Sequence, residues 1–199
     1  MAKLVNQTIF TAKIKGKKLY LFGANDIHAL FGLSSVATAS LLHRYKKRGF
    51  IAQVKRGFYV FPDALPPDAY IANKLYSPSY VSLEFAMSYH GVIPETVYEI
   101  TSVTAKSTRH FETLGKTFSY RKIKKSAYTG YTIERQGGIN FYIADAEKSF
   151  VDTNYLRLMN KQSPVTRFNK EKINSQKALR YAELFKNNKL VSIIKTTLS

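Results

Sequence analysis

The apolar positions of the first 65 residues switch between helical and strand spacing. Leu4, Val5, Thr8, Ile9 and Ala12 recur at helical intervals ahead of Gly16, which predicts a first amphipathic helix. Leu19-Tyr20-Leu21-Phe22 reads as a short strand. Asn25 is suited to cap a brief helix over Ile27, Ala29 and Leu30 that ends at Gly32. Ser34 is suited to cap the next helix, with Val36, Ala39, Leu42 and Tyr45 along one side, reaching Arg48 before Gly49. Two β-rich runs, 50–54 and 58–61, are joined at Lys55-Arg56-Gly57. The predicted order is helix, strand, helix, turn, helix, hairpin.

Three prolines, Pro62, Pro66 and Pro67, then break the periodicity and mark a domain boundary, predicting domains 1–65 and 66–199. Beyond it, Ala69 to Leu75 and Tyr80 to Tyr89 read as short helices, the second stopped by His90-Gly91. From Val97 to Ala144 the runs TVYEITSVT, TFSYRKI, GYTIER and INFYIA read as strands separated by glycine or polar turns. Asp145 caps a helix to Met159, and Ala178, Tyr181, Ala182, Phe185, Leu190, Ile193 and Ile194 continue helical spacing to the end. The predicted class is α+β. An N-terminal winged helix-turn-helix is followed by a mixed α/β C-terminal domain with a mainly antiparallel sheet and C-terminal helices.

Composition changes this picture in three ways. With no cysteine, disulfides and thiolate zinc sites are excluded. No run approaches the ~20 apolar residues of a membrane span, and the N-terminus lacks the pattern of a secretory signal, so a soluble cytoplasmic protein is expected. The 31 Lys and Arg against 13 Asp and Glu give a net charge of +18 and point to a polyanionic partner. Residues 1–65 hold eleven of these cations against Asp26 and Asp63, a net +9 and so half of the total.

The charge is locally organised in a way that the predicted elements explain. A winged helix-turn-helix needs a positioning helix, a short turn, a helix for the major groove and a basic hairpin against the backbone of duplex DNA. Ser34, Ser35 and Thr38 sit near the start of the second helix, where small polar side chains reach base edges or phosphates. Arg44, Lys46, Lys47 and Arg48 are candidate phosphate anchors, with Arg44 also able to reach a guanine. Lys55 and Arg56 at the hairpin tip are candidates for the adjacent backbone or minor groove. Offsetting the helix dipole explains Lys47 and Arg48 without DNA, but it does not explain the hairpin tip.

The order of words across residues 66–158 carries a resemblance. PSYVSLEFAMSYHGVIPE, YEITSVT, Arg109 with HFETLGKTFSYRKI, GYTI and FYIADAEKSFVD, after RGFYVF, resemble the AbiEi family of antitoxins from type IV toxin–antitoxin systems. Ala146 stands where that family more usually has proline, a swap compatible with a helix start. The resemblance implies a cytoplasmic antitoxin that represses its own operon by binding inverted repeats. It also implies a nucleotidyltransferase-like toxin as functional partner, countered without a stable complex, and a monomer or weak dimer for which cooperative binding on DNA is open.

Other chemistry is less well supported. Asp145, Glu147 and Lys148 suggest a metal nuclease, but Ala146 occupies the position of the acid two residues before the lysine, and a cap at Asp145 explains the run. His28, His43, His90 and His110 show no paired metal spacing, and no phosphate-cradling glycine loop is visible. No enzyme, metal or cofactor is expected. A second basic segment, Lys106, Arg109, Lys116, Arg121, Lys122, Lys124 and Lys125, is interleaved with Phe111, Phe118, Tyr120 and Tyr128. It is either a second nucleic-acid face or a strand whose aromatics fill the core while its cations are solvated. The alternative functions are a stand-alone winged-helix regulator with a ligand- or partner-sensing C-terminal domain, and an RNA-binding protein.

Overall fold

A computed structural model describes residues 5–199 of the chain. Leu4, expected on the first helix, lies outside the described residues. The chain divides into two compact units, Met1–Pro66 and Pro67–Ser199. Both are mixtures of helix and sheet, so the class is α+β. Among the described residues no helix is long and apolar enough to cross a membrane.

The first unit contains α1 (Gln7–Gly16), β1 (Phe22–Gly23), α2 (Ala24–Phe31), α3 (Ser35–Lys47), β2 (Ala52–Lys55) and β3 (Phe58–Val60). Its three strands pair antiparallel in the order β1-β3-β2. Asn6 caps α1, its side chain accepting from the Ile9 N–H at 2.8 Å. The buried face of α1 is Phe10 and Ile14 rather than the predicted Thr8, Ile9 and Ala12, and Ile9 is 46% exposed. The Phe10 ring decides this, lying 5.1 to 6.1 Å from the rings of Phe22, Phe31, Tyr45, Phe50 and Phe61. Gly23, not Asn25, precedes α2, and its N–H donates to Asp26 Oδ2 at 2.7 Å. A Cβ on Gly23 would lie 2.8 Å from the Gly57 carbonyl oxygen, so the β1–β3 approach requires glycine there. The strand predicted over Leu19–Phe22 is reduced to Phe22–Gly23.

The second unit contains α4 (Asp68–Leu75), β4 (Tyr80–Val81), α5 (Leu83–Tyr89), β5 (Ile100–Thr104), β6 (Arg109–Thr113), β7 (Lys116–Lys122), β8 (Tyr131–Gln136), β9 (Ile139–Ala144), α6 (Ala146–Met159), α7 (Ser175–Glu183) and α8 (Asn188–Leu198). One six-stranded sheet has the order β6-β7-β5-β4-β9-β8, with β4–β9 and β5–β7 parallel and the other three pairs antiparallel. The sheet is therefore mainly antiparallel, as expected. The single helix predicted over Tyr80–Tyr89 is instead a strand and a helix. Tyr80 and Val81 are fully buried in the middle of the sheet, where a short apolar run has no helical or strand signature of its own. The edge strand β6 was not anticipated, because its sequence RHFET is polar and mostly exposed.

Helix α6 is the central helix of this unit, with every residue from Glu147 to Tyr155 buried. Lys148 and Asp152 are one turn apart and both fully buried. The Lys148 ammonium donates to Asp152 Oδ1, while Ser82 and Tyr80 hydroxyls donate to Oδ2 at 2.9 and 3.1 Å. Burial pushes the Asp152 carboxyl up, and Lys148, Ser82 and Tyr80 act against that shift. Lys148 also lies 4.9 Å from the Phe185 ring centroid, at the end of α7. A second ionic cluster joins α6 to α7: Lys177 reaches Asp145 at 3.1 Å and Glu147 at 2.9 Å, and Tyr181 donates to Asp145 at 2.7 Å.

Replacing Lys148 with Met leaves Asp152 buried without its counter-charge, and is expected to cost about 3–5 kcal/mol in urea unfolding. A loss below about 1 kcal/mol would show that the pair is not the anchor of α6. Burial raises the Glu147 carboxyl, but the Lys177 and Asn174 hydrogen bonds outweigh it and hold the group below its ordinary value. On acidification the unfolded chain therefore protonates first. Glu147 contributes its full stability above its unfolded value of about 4.3 and loses it as pH falls through the folded value. The urea midpoint should fall as pH drops below about 4.3, and Lys177→Met should flatten that fall. Parallel curves for the two proteins would remove Lys177 from the effect.

Candidate nucleic-acid interface

The exposed side of α3 and the β2–β3 hairpin carry the candidate interface. Gly32, with φ of 64°, ends α2, and its N–H donates to the His28 carbonyl at 2.9 Å. Leu33 and Ser34 complete the turn, with the His28 ring bonded to the Leu33 carbonyl. Ser34 caps α3 through its Oγ, which accepts from the Ala37 N–H at 3.2 Å. Its hydroxyl is thus committed to the helix, although the side chain is exposed.

The core side of α3 is Thr38, Leu41, Leu42 and Tyr45. This corrects the predicted side in two places: Val36 is 78% exposed and Ala39 is exposed, whereas Thr38 is only 1% exposed. Thr38 is a correction to the candidate site as well, since it lies on the core side of α3 with Leu41, Leu42 and Tyr45, away from the exposed side of the helix. At 100° per residue, Val36, Ser40, His43 and Lys47 stand opposite the core and form one stripe along the helix. Ser35, Ala39 and Lys46 flank it on one side, Arg44 and Arg48 on the other, and all are exposed. Val36, Ser40 and His43 were not among the predicted site residues. The 4-3-4 spacing of 36, 40, 43 and 47 contains the signal, but it becomes readable only once Thr38 is known to face inward.

The hairpin lies on the Lys46 side of the helix, where Lys46 Nζ donates to Gln53 Oε1 at 2.5 Å. The β2–β3 register shifts between Gln53 and Lys55, and Gly57 takes φ of 81° to close the turn. Lys55 and Arg56 differ in their settings. Lys55 is half-buried with its ammonium 4.5 Å from the Phe58 ring, and burial draws its pKa down. Arg56 is exposed at the tip.

Three cations of the second basic segment are engaged within the second unit. Lys116 pairs with Asp68 at 2.5 Å, Lys124 donates to the Phe185 carbonyl at 2.6 Å, and Lys106 donates to the Ser77 carbonyl at 2.7 Å. Arg109, Arg121, Lys122 and Lys125 are exposed. Phe118 and Tyr120 are fully buried, and the Tyr120 hydroxyl donates to the Ala72 carbonyl at 2.7 Å, so these two rings belong to the core. Arg121 and Lys122 line a polar cleft of about 410 Å³ together with Arg157, Glu84 and Glu99.

The residues weighed for nuclease chemistry are engaged structurally. Asp145 caps α6, its Oδ1 accepting from the Lys148 N–H at 2.8 Å, and Glu147 accepts from the Asn174 N–H at 3.0 Å. Lys148 lies in the buried pair with Asp152. His90 is bonded to the Ala144 carbonyl at 2.7 Å, and His110 is 3.4 Å from Glu112. Among the described residues no group of three or more His, Asp or Glu is placed to hold a metal ion.

No protein-family model matches the chain, and no curated protein matches it.

The two hydroxyls at the start of α3 give opposite expectations. Ser34→Ala removes a cap and should lower stability by about 1 kcal/mol. Thr38→Val deletes a buried hydroxyl that has no partner, and should leave the thermal midpoint level or higher. A fall of more than about 1 kcal/mol in Thr38→Val would mean that the hydroxyl is bonded after all.

Proposed function

We propose that the chain is a DNA-binding antitoxin of the AbiEi kind, acting in the cytoplasm as a monomer or weak dimer. The first unit works as a winged helix-turn-helix, with α3 in the major groove and the β2–β3 hairpin as the wing. The observation that carries this reading is the stripe of Val36, Ser40, His43 and Lys47, turned away from the core and bordered by Arg44, Lys46, Arg48 and the exposed Arg56. Ser40 and His43 offer hydrogen bonds to base edges, and Val36 and Ala39 offer apolar contact to thymine methyl groups. The flanking cations neutralise phosphates, fixing register without reading sequence.

Antitoxin activity is assigned to the second unit, on the order of the runs across residues 66–158. Two units of opposite duty account for the split of charge, with +9 on residues 1–65 and +9 on the remainder. The target DNA is an inverted repeat upstream of the chain's own operon, and the toxin is nucleotidyltransferase-like.

The test is titration of the intact chain with inverted-repeat and random duplexes over a salt series. Arg56→Ala and Lys47→Ala should each reduce the slope of log affinity against log salt by about 0.9. Ser40→Ala and His43→Ala should instead lower the preference for the specific duplex, on the scale of about 1–3 kcal/mol for a good base-edge pair. Unchanged slopes at unchanged stability would remove the stripe and the hairpin from the DNA. In cells carrying the toxin the intact chain should rescue growth and a fragment ending at Pro66 should not. Failure of the intact chain would leave a regulator without antitoxin activity, and stronger binding of structured RNA than of duplex would favour the RNA-binding alternative.

A further inference from the structure

The second unit holds a cleft of about 470 Å³ between α4, the 77–79 loop and the β8–β9 edge of the sheet. That is within the range of about 300–1,000 Å³ typical of small-molecule sites. One wall is aromatic. Tyr131 lies against the fully buried Tyr80, with ring centroids 4.6 Å apart and planes inclined by 22°. Tyr142 meets Tyr131 edge-on at 5.7 Å, and Tyr128 is tilted against it at 5.7 Å. Tyr131 remains 37% exposed and Tyr142 46%, so the rings are braced from behind and open in front.

The other wall is polar. Ser79 is only 6% exposed, lines the cleft, and has a buried hydroxyl with no partner. A buried hydroxyl left unpaired is destabilising, and such a group calls for an explanation. Lys74 lines the same cleft, its ammonium 5.5 Å from the centroid of the Tyr70 ring. Asn73 uses both ends of its amide on the Tyr142 backbone, at 2.6 and 3.2 Å, and so fixes the position of β9.

We propose that this cleft binds a nucleoside monophosphate, either free or as an unpaired nucleotide of a single strand. The base stacks on the Tyr131 and Tyr142 wall, a polar edge of the base meets Ser79, and the phosphate lies toward Lys74. Stacking on tyrosine accepts any base because every base has a π-face. A purely apolar ligand would leave the Ser79 hydroxyl unpaired, and an anion without a ring would leave the tyrosines uncovered. The inference does not depend on duplex binding by the first unit.

The test uses the full chain, titrated by calorimetry with AMP, CMP, GMP and UMP, and separately with single-stranded tetranucleotides. Saturable binding is expected. Tyr131→Leu should weaken it tenfold or more, equivalent to about 1.4 kcal/mol. Ser79→Ala should weaken it severalfold while holding or raising the thermal midpoint, a combination that a purely structural serine would not give. Lys74→Gln should weaken the monophosphate and leave the nucleoside unchanged. Where Tyr131→Leu fails to fold, Asn140→Ala, an exposed position on the cleft wall, takes its place with a severalfold loss expected. Binding of monophosphates assigns a free nucleotide, and binding of tetranucleotides alone with the same residue dependence assigns a strand. No saturable binding of either at millimolar concentration overturns the proposal, as does binding that Tyr131→Leu and Ser79→Ala leave unchanged.

Discussion

The second unit is organised around a charge that has been taken out of water. A buried ammonium is tolerated only with a close counter-charge and with hydrogen bonds for the carboxylate that neutralises it. Lys148 and Asp152 satisfy the first condition, and Ser82 and Tyr80 the second. Those four residues come from β4, the start of α5 and the middle of α6, so the network fixes the central helix against the central strand. It also fixes Tyr80, whose ring supports Tyr131 on the wall of the cleft. The aromatic platform is therefore held from the interior by an ion pair.

The first unit is built on a different constraint. It is small, and its core is an aromatic cluster in which Phe10 contacts five other rings. Leu41, Leu42 and Tyr45 belong to that core, and Tyr45 also donates to the Val5 carbonyl at 2.7 Å, tying α3 to the segment before α1. Once these residues face inward, the geometry of a helix leaves Val36, Ser40, His43 and Lys47 outward. The outward side chains have no packing duty in the unit, which frees their chemistry for a partner.

The distribution of cations follows the same logic. On α3 and the hairpin, Arg44, Lys47, Arg48 and Arg56 are exposed, while Lys46 is bonded to Gln53 and Lys55 lies over the Phe58 ring. In the second unit several are bound to carbonyls and carboxylates of the same unit, Lys106, Lys116 and Lys124 among them. Equal net charge on two units of unequal length thus corresponds to different local uses. A count of charges cannot separate a solvated cation from one that holds a loop in place.

By itself the sequence determined the features that depend on neighbouring residues. Ser34 and Asp145 cap helices as their side chains permit, and INFYIA alternates as a strand with one buried face. Helix stops follow the same local rule, as at Gly32, because the left-handed conformation there is inexpensive only for glycine. Tertiary structure decided whatever depended on distant partners. The side of α3 that faces inward could not be read locally, since Thr38 and Val36 are equally compatible with a core and only the aromatic cluster selects between them. The strand β4 is two residues long and exists because β5 and β9 flank it. The meeting of Ser79 with Tyr131 and Tyr142 across more than fifty residues of chain was likewise invisible, because pairing in a sheet places side by side residues that no local pattern relates.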